Sequence, residues 1–154
     1  MRYWLMKTEP NVYSIDDLKK EGTSHWEGVR NYQARNFMRD DMRIGDLVIF
    51  YHSNAKPSGA AGIAKVCSEA YPDFTAFDQK SKYYSPKSTP EKPIWMMVDV
   101  EFVAKFPNVI SLQEIRDLSE CHDMLLLQKG QRLSILPIEK RHFNALKKAS
   151  KDSQ

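Results

Sequence analysis

Apolar residues fall in short runs that predict strands, and the polar segments between them carry helix-start signals. The runs predict five strands, over residues 3–7, 47–52, 60–70, 94–106 and 132–136. Four short helices are predicted, over residues 14–22, 32–39, 111–118 and 137–148. Ser14 and Ser111 each lie three residues before an acid that can complete a capping box, and Pro137 suits the first turn of a helix.

These helices are too short and too irregularly spaced to cover a doubly wound parallel sheet. The order of elements therefore predicts the α+β class, with a curved sheet or small barrel surrounded by helices. Residues 1–150 are predicted to form one domain, and residues 151–154 a frayed tail.

Two segments are predicted to be irregular. Residues 23–31 are polar but contain Trp26, and residues 72–93 form a predicted long loop. Loops of this length in a small domain are usually functional or disordered. The long loop is rich in lysine, yet it also contains the aromatic residues Phe74, Phe77, Tyr83 and Tyr84.

Composition narrows the class of protein. The chain has 154 residues, of which 42% are hydrophobic and 28% charged, and this balance excludes a disordered chain. No apolar run approaches the length of a membrane span, and the first residues are too briefly apolar for a signal peptide. A cytoplasmic location is expected. The formal charge of +3 permits an anionic partner without requiring one.

The sequence contains no recognisable catalytic or metal-binding motif. The two cysteines, Cys67 and Cys121, cannot form a zinc site or a disulfide framework by themselves, and both are expected to be reduced, buried and inert. The four histidines lack metal-ligand spacing, and no nucleophile elbow or phosphate-binding glycine loop occurs. The sequence therefore predicts no catalytic residues, no metal and no cofactor.

Three clusters instead carry residues typical of nucleic-acid binding. Residues 25–36 combine Trp26 with arginines and asparagines, residues 50–54 end a strand with polar side chains, and residues 80–87 interleave lysine with tyrosine. An aromatic ring can stack on a base, arginine and lysine can contact phosphate, and an amide can read a base edge. The structural alternative is that Trp26 fills a small core, that Asn54 lies in a turn, and that the charged residues are solvated.

In these segments the sequence resembles the EVE domain family. The resemblance runs from Tyr3 to Pro137 and rests on the motifs WLMKTEP at residues 4–10, WEGVRNYQARN at 26–36, GD at 45–46, YHSN at 51–54, GIA at 62–64, AYPD at 70–73, KYY at 82–84, Trp95, and VDV at 98–100. It implies a PUA-like mixed β pseudobarrel of five or six strands with surrounding short helices. It also implies a relation to YTH domains, which enclose a methylated adenine in an aromatic cage.

The resemblance further implies a pocket for a modified base, with 5-methylcytosine-type marks among the candidates. Trp26 matches a cage aromatic, and Lys7, Thr8 and Glu9 match the strand end that lines the pocket of YTH domains. Glu9 stands where an amide is usual. The second aromatic wall has no clear match, and the candidates for it are Tyr71, Tyr83 and Tyr84.

The sequence therefore predicts a non-catalytic nucleic-acid-binding module that reads a modified base in RNA or DNA. The expected ligand-binding residues are Lys7, Thr8, Glu9, Trp26, Asn31, Tyr32, Ser53, Asn54, Tyr83 and Tyr84. The expected phosphate-binding residues are Arg30, Arg35, Lys80 and Lys82. The alternative is a small enzyme acting on a nucleotide, with Glu9 or Glu27 as acid or base in the same pocket.

Overall fold

A curled mixed sheet forms the centre of the protein in the computed structural model, which describes residues 1–152. Within those residues the strands are β1 (Tyr3–Thr8), β2 (Thr23–His25), β3 (Leu47–His52), β4 (Gly59–Val66), β5 (Tyr71–Pro72), β6 (Met96–Met97), β7 (Asp99–Ser111) and β8 (Ile135–Ile138). Six of them form the sheet in the order β2-β7-β4-β3-β1-β8, while β5 and β6 pair separately. This architecture confirms the predicted α+β pseudobarrel.

Short helices surround the sheet, as predicted: α1 (Ile15–Glu21), α2 (Tyr32–Asn36), α3 (Leu112–Asp117) and α4 (Lys140–Asp152). Both predicted capping boxes are present, at Ser14 and at Ser111. Helix α4 includes two residues of the predicted frayed tail, and residues 153 and 154 lie outside the described part of the chain. No helix between residues 1 and 152 is both long enough and apolar enough to span a membrane.

Strands β1 and β3 are parallel neighbours, and this pairing positions the functional site. Lys7 lies opposite Tyr51 and Thr8 opposite His52, so the two strands end at the same edge of the sheet. His52 is buried there, and its Nε2 accepts a hydrogen bond from the backbone N–H of Ile15 at 3.1 Å. Burial lowers the pKa of His52, which keeps the ring neutral and able to accept this bond.

Side chains alternate between two apolar clusters on the opposite faces of the sheet. One cluster contains Trp4 and Phe50, and the other contains Leu5 and Ile49. Cys121 is buried in the second cluster, where burial raises its pKa to about 11. Cys67 is only partly buried, so its predicted full burial is wrong, although both thiols are free as expected.

Three differences between the predicted and observed elements have a clear physical reason. Pro137 does not begin a helix but lies in β8 opposite Trp4, because β8 is an edge strand, where a missing N–H is tolerated. Strand β7 continues past Pro107, because its register against β4 shifts between Lys105 and Ile110 and leaves Pro107 outside the ladder. Residues 23–25, predicted to be irregular, form the short edge strand β2 against β7.

Candidate functional site

A cleft of about 1050 Å³ opens at the edge of the sheet where β1 and β3 end. We call it the main cleft. Its walls come from the ends of these strands, from the segment between β2 and α2, from the long loop of residues 72–93 and from the residues just before β8. The sequence-predicted residues that it brings together are Lys7, Thr8, Glu9, Trp26, Arg30, Ser53, Asn54, Lys82 and Tyr83.

Trp26 belongs to both the core and the main cleft. Only 8% of it is exposed, and its ring meets Phe50 edge-on at 5.6 Å between centroids. Its indole N–H makes no hydrogen bond within residues 1–152, and no buried side-chain nitrogen or oxygen in that range lacks a partner. The N–H is therefore not sealed from solvent. Trp26 therefore lines the cleft as a mostly buried side chain, whereas the sequence predicts an open stacking face.

Two predicted ligand-binding residues of the segment 25–36 lie outside the main cleft. The side-chain oxygen of Asn31 accepts a hydrogen bond from the backbone N–H of Ala34 at 3.0 Å, so Asn31 caps α2. Tyr32 stacks on Trp95 with 4.9 Å between ring centroids. Asn31 thus has a structural role, because an asparagine at a helix start satisfies a backbone donor that the helix leaves unpaired. Tyr32 packs on Trp95 and does not line the cleft where the sequence predicts it.

Arg30 fastens the long loop and is not free to contact phosphate. Its Nη1 lies 2.9 Å from a carboxylate oxygen of Asp73. Its Nε and Nη2 donate to the carbonyl of Tyr83 at 3.2 and 2.7 Å. The guanidinium also lies between the rings of Tyr83 and Trp95, 5.6 and 5.3 Å from their centroids. The predicted phosphate role of Arg30 is therefore replaced by an anchoring role.

Asp73 is the acceptor on which this attachment depends. Its side chain is fully buried and accepts hydrogen bonds from the backbone N–H groups of Gly28 and Thr75 at 2.8 and 2.9 Å, from the Thr75 hydroxyl and from Arg30. Burial alone would raise the pKa of this carboxyl, but the hydrogen bonds from Thr75, Gly28 and Arg30 outweigh burial and hold the pKa below its usual range. Asp73 is thus a buried carboxylate whose hydrogen bonds fix the start of the loop.

Tyr83 is the one of the three second-wall candidates that lines the main cleft. Its ring lies directly on the backbone of Gly28, where an added Cβ would be 2.5 Å from the ring carbon Cζ. Gly28 has φ +82°, a conformation that favours glycine. Tyr71 instead donates its hydroxyl proton to Asp99, and burial together with this hydrogen bond raises the pKa of Tyr71. Tyr84 is exposed outside the cleft.

The other three residues predicted to contact phosphate differ in their surroundings. Arg35 donates to the carbonyl of Ile94 at 3.0 Å and lies over the Tyr32 ring, so it anchors the far end of the long loop. Lys80 is exposed on the loop but does not line the main cleft. Lys82 does line it, with Nζ 5.0 Å from the centroid of the Tyr83 ring.

Sequence reasoning missed several residues that line the main cleft. They include Tyr13, Ser24, His25, Arg132 and Ser134. Arg132 and Ser134 could have been predicted from the antiparallel pairing of the last strand with β1. This pairing brings the residues before β8 to the end of β1. The backbone N–H of Lys7 indeed donates to the carbonyl of Ser134 at 2.8 Å.

Charges of both signs line the main cleft. Glu9 accepts a hydrogen bond from the side-chain amide of Asn54 at 2.5 Å, and Glu27 lies 3.4 Å from the ring nitrogen of His25. Lys7 is half-buried and forms no ion pair with any residue in the described range, and burial lowers its pKa. A half-buried cation that lines a cleft without a partner acid is suited to an electronegative ligand atom.

A cluster remote from the cleft could be mistaken for a metal site. Ligand atoms of Asp123, Glu139 and His142 lie within 4.8 Å of one another. Arg141 pairs with both carboxylates, and His142 accepts a hydrogen bond from the backbone N–H of Glu139 at 3.0 Å. The carboxylates thus already have protein partners, since Arg141 bridges them and His142 Nε2 lies 2.8 Å from Asp123, and the cluster secures the start of α4.

Comparison with known proteins places the chain in a family. The profile of the EVE domain matches residues 2–149. Thymocyte nuclear protein 1 of Gallus gallus is 44% identical over 160 residues and that of Homo sapiens is 42% identical, each alignment covering 92% of this chain. The chain spans 66% and 71% of the lengths of these two relatives.

Solved structures agree with this relation. The crystal structure of human THYN1 in complex with DNA containing 5-methylcytosine superposes with a TM-score of 0.89 at 40% identity, covering 97% of this chain and 98% of that one. The YTH domain of Mmi1 superposes with a TM-score of 0.57 at 14% identity, covering 99% and 89%. The second likeness concerns the fold alone.

Proposed function

The chain belongs to the EVE domain family, and we propose that it binds nucleic acid and holds one modified base in the main cleft. The observation that carries the proposal is the convergence of Trp26 and Tyr83, which come from distant segments, on a cleft edged by polar strand ends. A small pocket with aromatic walls and a few fixed polar groups suits a planar heterocycle. The complex of human THYN1 with DNA containing 5-methylcytosine supports the same class of ligand.

The polar groups of the main cleft suggest how a base is read. The Trp26 N–H and the Lys7 ammonium are donors for the ring nitrogen or carbonyl of a base. Glu9 is an acceptor for an exocyclic amine, and its bond from Asn54 fixes its position at 2.5 Å. Cytosine and adenine carry such an amine whereas uracil does not, so we propose a base of the 5-methylcytosine or methylated-adenine type. Tyr83 supplies the aromatic wall.

We assign the backbone contacts at the rim of the main cleft to Lys82 and Arg132. Both side chains are exposed and line the cleft. Neither forms an ion pair with another residue of the described part of the chain, in contrast to Arg30. Exposed cations of this kind bind phosphate without reading sequence.

We propose binding without chemical conversion. Glu9 and Glu27, the carboxylates of the alternative enzymatic hypothesis, each lie beside a partner, Asn54 and His25. Mass spectrometry of the ligand before and after incubation separates the two hypotheses, because a binding module leaves its mass unchanged. A changed mass would identify an enzyme.

The proposal predicts a ranking of ligands in a titration with short DNA and RNA strands that differ at one base. A strand with 5-methylcytosine or N6-methyladenine should bind more tightly than its unmodified counterpart, and a uracil strand should bind most weakly. Uracil would leave Glu9 facing a carbonyl oxygen with no donor between them. Equal affinity for all strands would remove base recognition from the main cleft.

Substitution of Trp26 by phenylalanine should weaken binding of the modified strand about fivefold, because the indole donor is lost while an aromatic ring remains. Alanine is a poor test, since removing a buried tryptophan costs about 3–5 kcal/mol of stability. Trp4→Phe is the control: Trp4 is also buried and loses an indole donor, the one bonded to Asp46, but it lies outside the cleft. Equal affinity losses in the two variants would contradict the role of Trp26.

A further inference from the structure

A second cleft of about 440 Å³ adjoins the main cleft on the far side of Asn54. We call it the basic cleft. It lies between the ends of β1 and β3, the first turns of α3 and the loop of residues 126–131. Lys7, Ser53 and Asn54 line both clefts, so the two share a wall.

All charged residues that line the basic cleft are basic. Lys7, Arg116 and Lys129 line it, and no aspartate or glutamate is among its lining residues. None of these three cations forms an ion pair with another residue between positions 1 and 152. The main cleft, by contrast, carries carboxylates beside its cations. Three cations without partner acids around one concavity favour an anion.

Tyr51 provides the basic cleft with a hydrogen-bond donor that is fixed by packing. The residue is only 3% exposed and packs in the second apolar cluster, yet its side chain lines the basic cleft. Its hydroxyl makes no hydrogen bond to any described residue. Because no sealed side-chain oxygen or nitrogen in that part of the chain lacks a partner, this hydroxyl is open to the cleft. The Tyr51 ring is thus held by packing while its hydroxyl remains accessible, and a fixed hydroxyl without a protein partner can donate to a ligand atom.

We propose that the basic cleft binds a phosphodiester group of the strand whose base occupies the main cleft. The Tyr51 hydroxyl donates to a phosphate oxygen, and Arg116 and Lys129 neutralise its charge. Lys7 on the shared wall lies between base and phosphate. The strand therefore crosses the bridge between Asn54 and Glu9 on its way from one cleft to the other. This inference rests on the proposed function for the identity of the ligand.

The test compares an oligonucleotide carrying 5-methylcytosine with the nucleoside 5-methylcytidine, which has no phosphate. Lys129→Ala should weaken oligonucleotide binding about threefold to tenfold and lower the salt slope by about 0.7 for a single strand. Tyr51→Phe should weaken it by a similar factor at an unchanged salt slope, because a hydroxyl releases no counterion. Both variants should bind the nucleoside as the unaltered protein does.

Lys148→Ala is the matched control, since Lys148 is an exposed lysine on α4 that lines neither cleft. If Lys129→Ala and Tyr51→Phe bind the oligonucleotide no more weakly than Lys148→Ala does, the basic cleft is not on the path of the strand and the inference is overturned.

A second experiment titrates the protein with inorganic phosphate and monitors the amide chemical shifts of Tyr51 and Lys129. Shifts with phosphate but unchanged oligonucleotide affinity would identify a free-phosphate site and also overturn it.

The two proposals fail in different ways. Suppose that the unaltered protein binds strands without regard to base, while Lys129→Ala still weakens binding and lowers the salt slope. The phosphate site in the basic cleft is then supported, and base recognition in the main cleft is contradicted. If the nucleoside binds as tightly as the oligonucleotide does, base recognition is supported and the phosphate site in the basic cleft is contradicted.

Discussion

Replacing Asp73 with alanine should lower the free energy of unfolding by about 3 kcal/mol, the low end of the cost of removing one partner of a buried ion pair. The low end applies because the Arg30 side chain is 24% exposed and regains some hydration. The same substitution removes the acceptor of the backbone N–H groups of Gly28 and Thr75. Urea denaturation measures the loss.

Asp78→Ala is the control for this prediction. Asp78 lies in the same loop, is exposed, and accepts a hydrogen bond from the backbone N–H of Lys80 at 2.9 Å. Its removal should change stability by less than about 0.5 kcal/mol. An equally small loss for Asp73→Ala would show that the buried pair does not hold the loop.

The pH dependence of stability gives a second readout of Asp73. Its pKa is lower in the folded protein than the usual 3.8, so the unfolded chain binds the proton more readily. Asp73 therefore contributes stability above about pH 4, and this contribution is lost as the pH falls through the lowered pKa. In Asp73→Asn the stability should vary less with pH across this acid range than it does in the unaltered protein.

Replacing Gly28 with alanine should reduce affinity for a strand with a modified base at least about tenfold, which is about 1.4 kcal/mol. The new Cβ would lie 2.5, 2.6 and 2.8 Å from three ring atoms of Tyr83, so the ring must leave its place on the cleft wall. The residue would also adopt φ +82°, which costs about 1–2 kcal/mol of stability for an alanine. Binding and denaturation are measured on the same variant.

Gly45→Ala separates backbone strain from displacement of the ring. Gly45 has φ +99°, lines neither cleft, and has no atom of residues 1–152 within 4 Å of an added Cβ. It should lose a similar amount of stability and keep its affinity. If Gly28→Ala binds as tightly as Gly45→Ala does, Tyr83 is not a wall of the binding site.

Local signals in the sequence were sufficient to predict most of the secondary structure. The capping boxes at Ser14 and Ser111 and the strand ending at His52 are confirmed, because each depends on residues within a few positions. The prediction for Pro137 is wrong because the same residue suits a helix start and an edge strand, and only the pairing of β8 with β1 decides between them.

The candidate site was harder to predict because its geometry depends on distant pairs. The sequence places Arg30 beside Trp26 and Asn31, but the acid that pairs with it, Asp73, is 43 positions away. Without that partner an arginine in a polar loop looks free to bind phosphate. For Asn31 the partner is local: the N–H of Ala34 is only three residues away, so the capping role competes with the predicted ligand role.

The attachment of the long loop through Arg30 couples two equilibria, ligand binding in the main cleft and opening of the loop. Tyr83 comes to the main cleft from this loop, and its carbonyl is held by the same guanidinium that pairs with Asp73. Any free energy that a ligand gains from Tyr83 therefore also opposes opening of the loop, by reciprocal linkage. Amide hydrogens in the loop should exchange more slowly with solvent when the cleft is filled, so the loop reports occupancy.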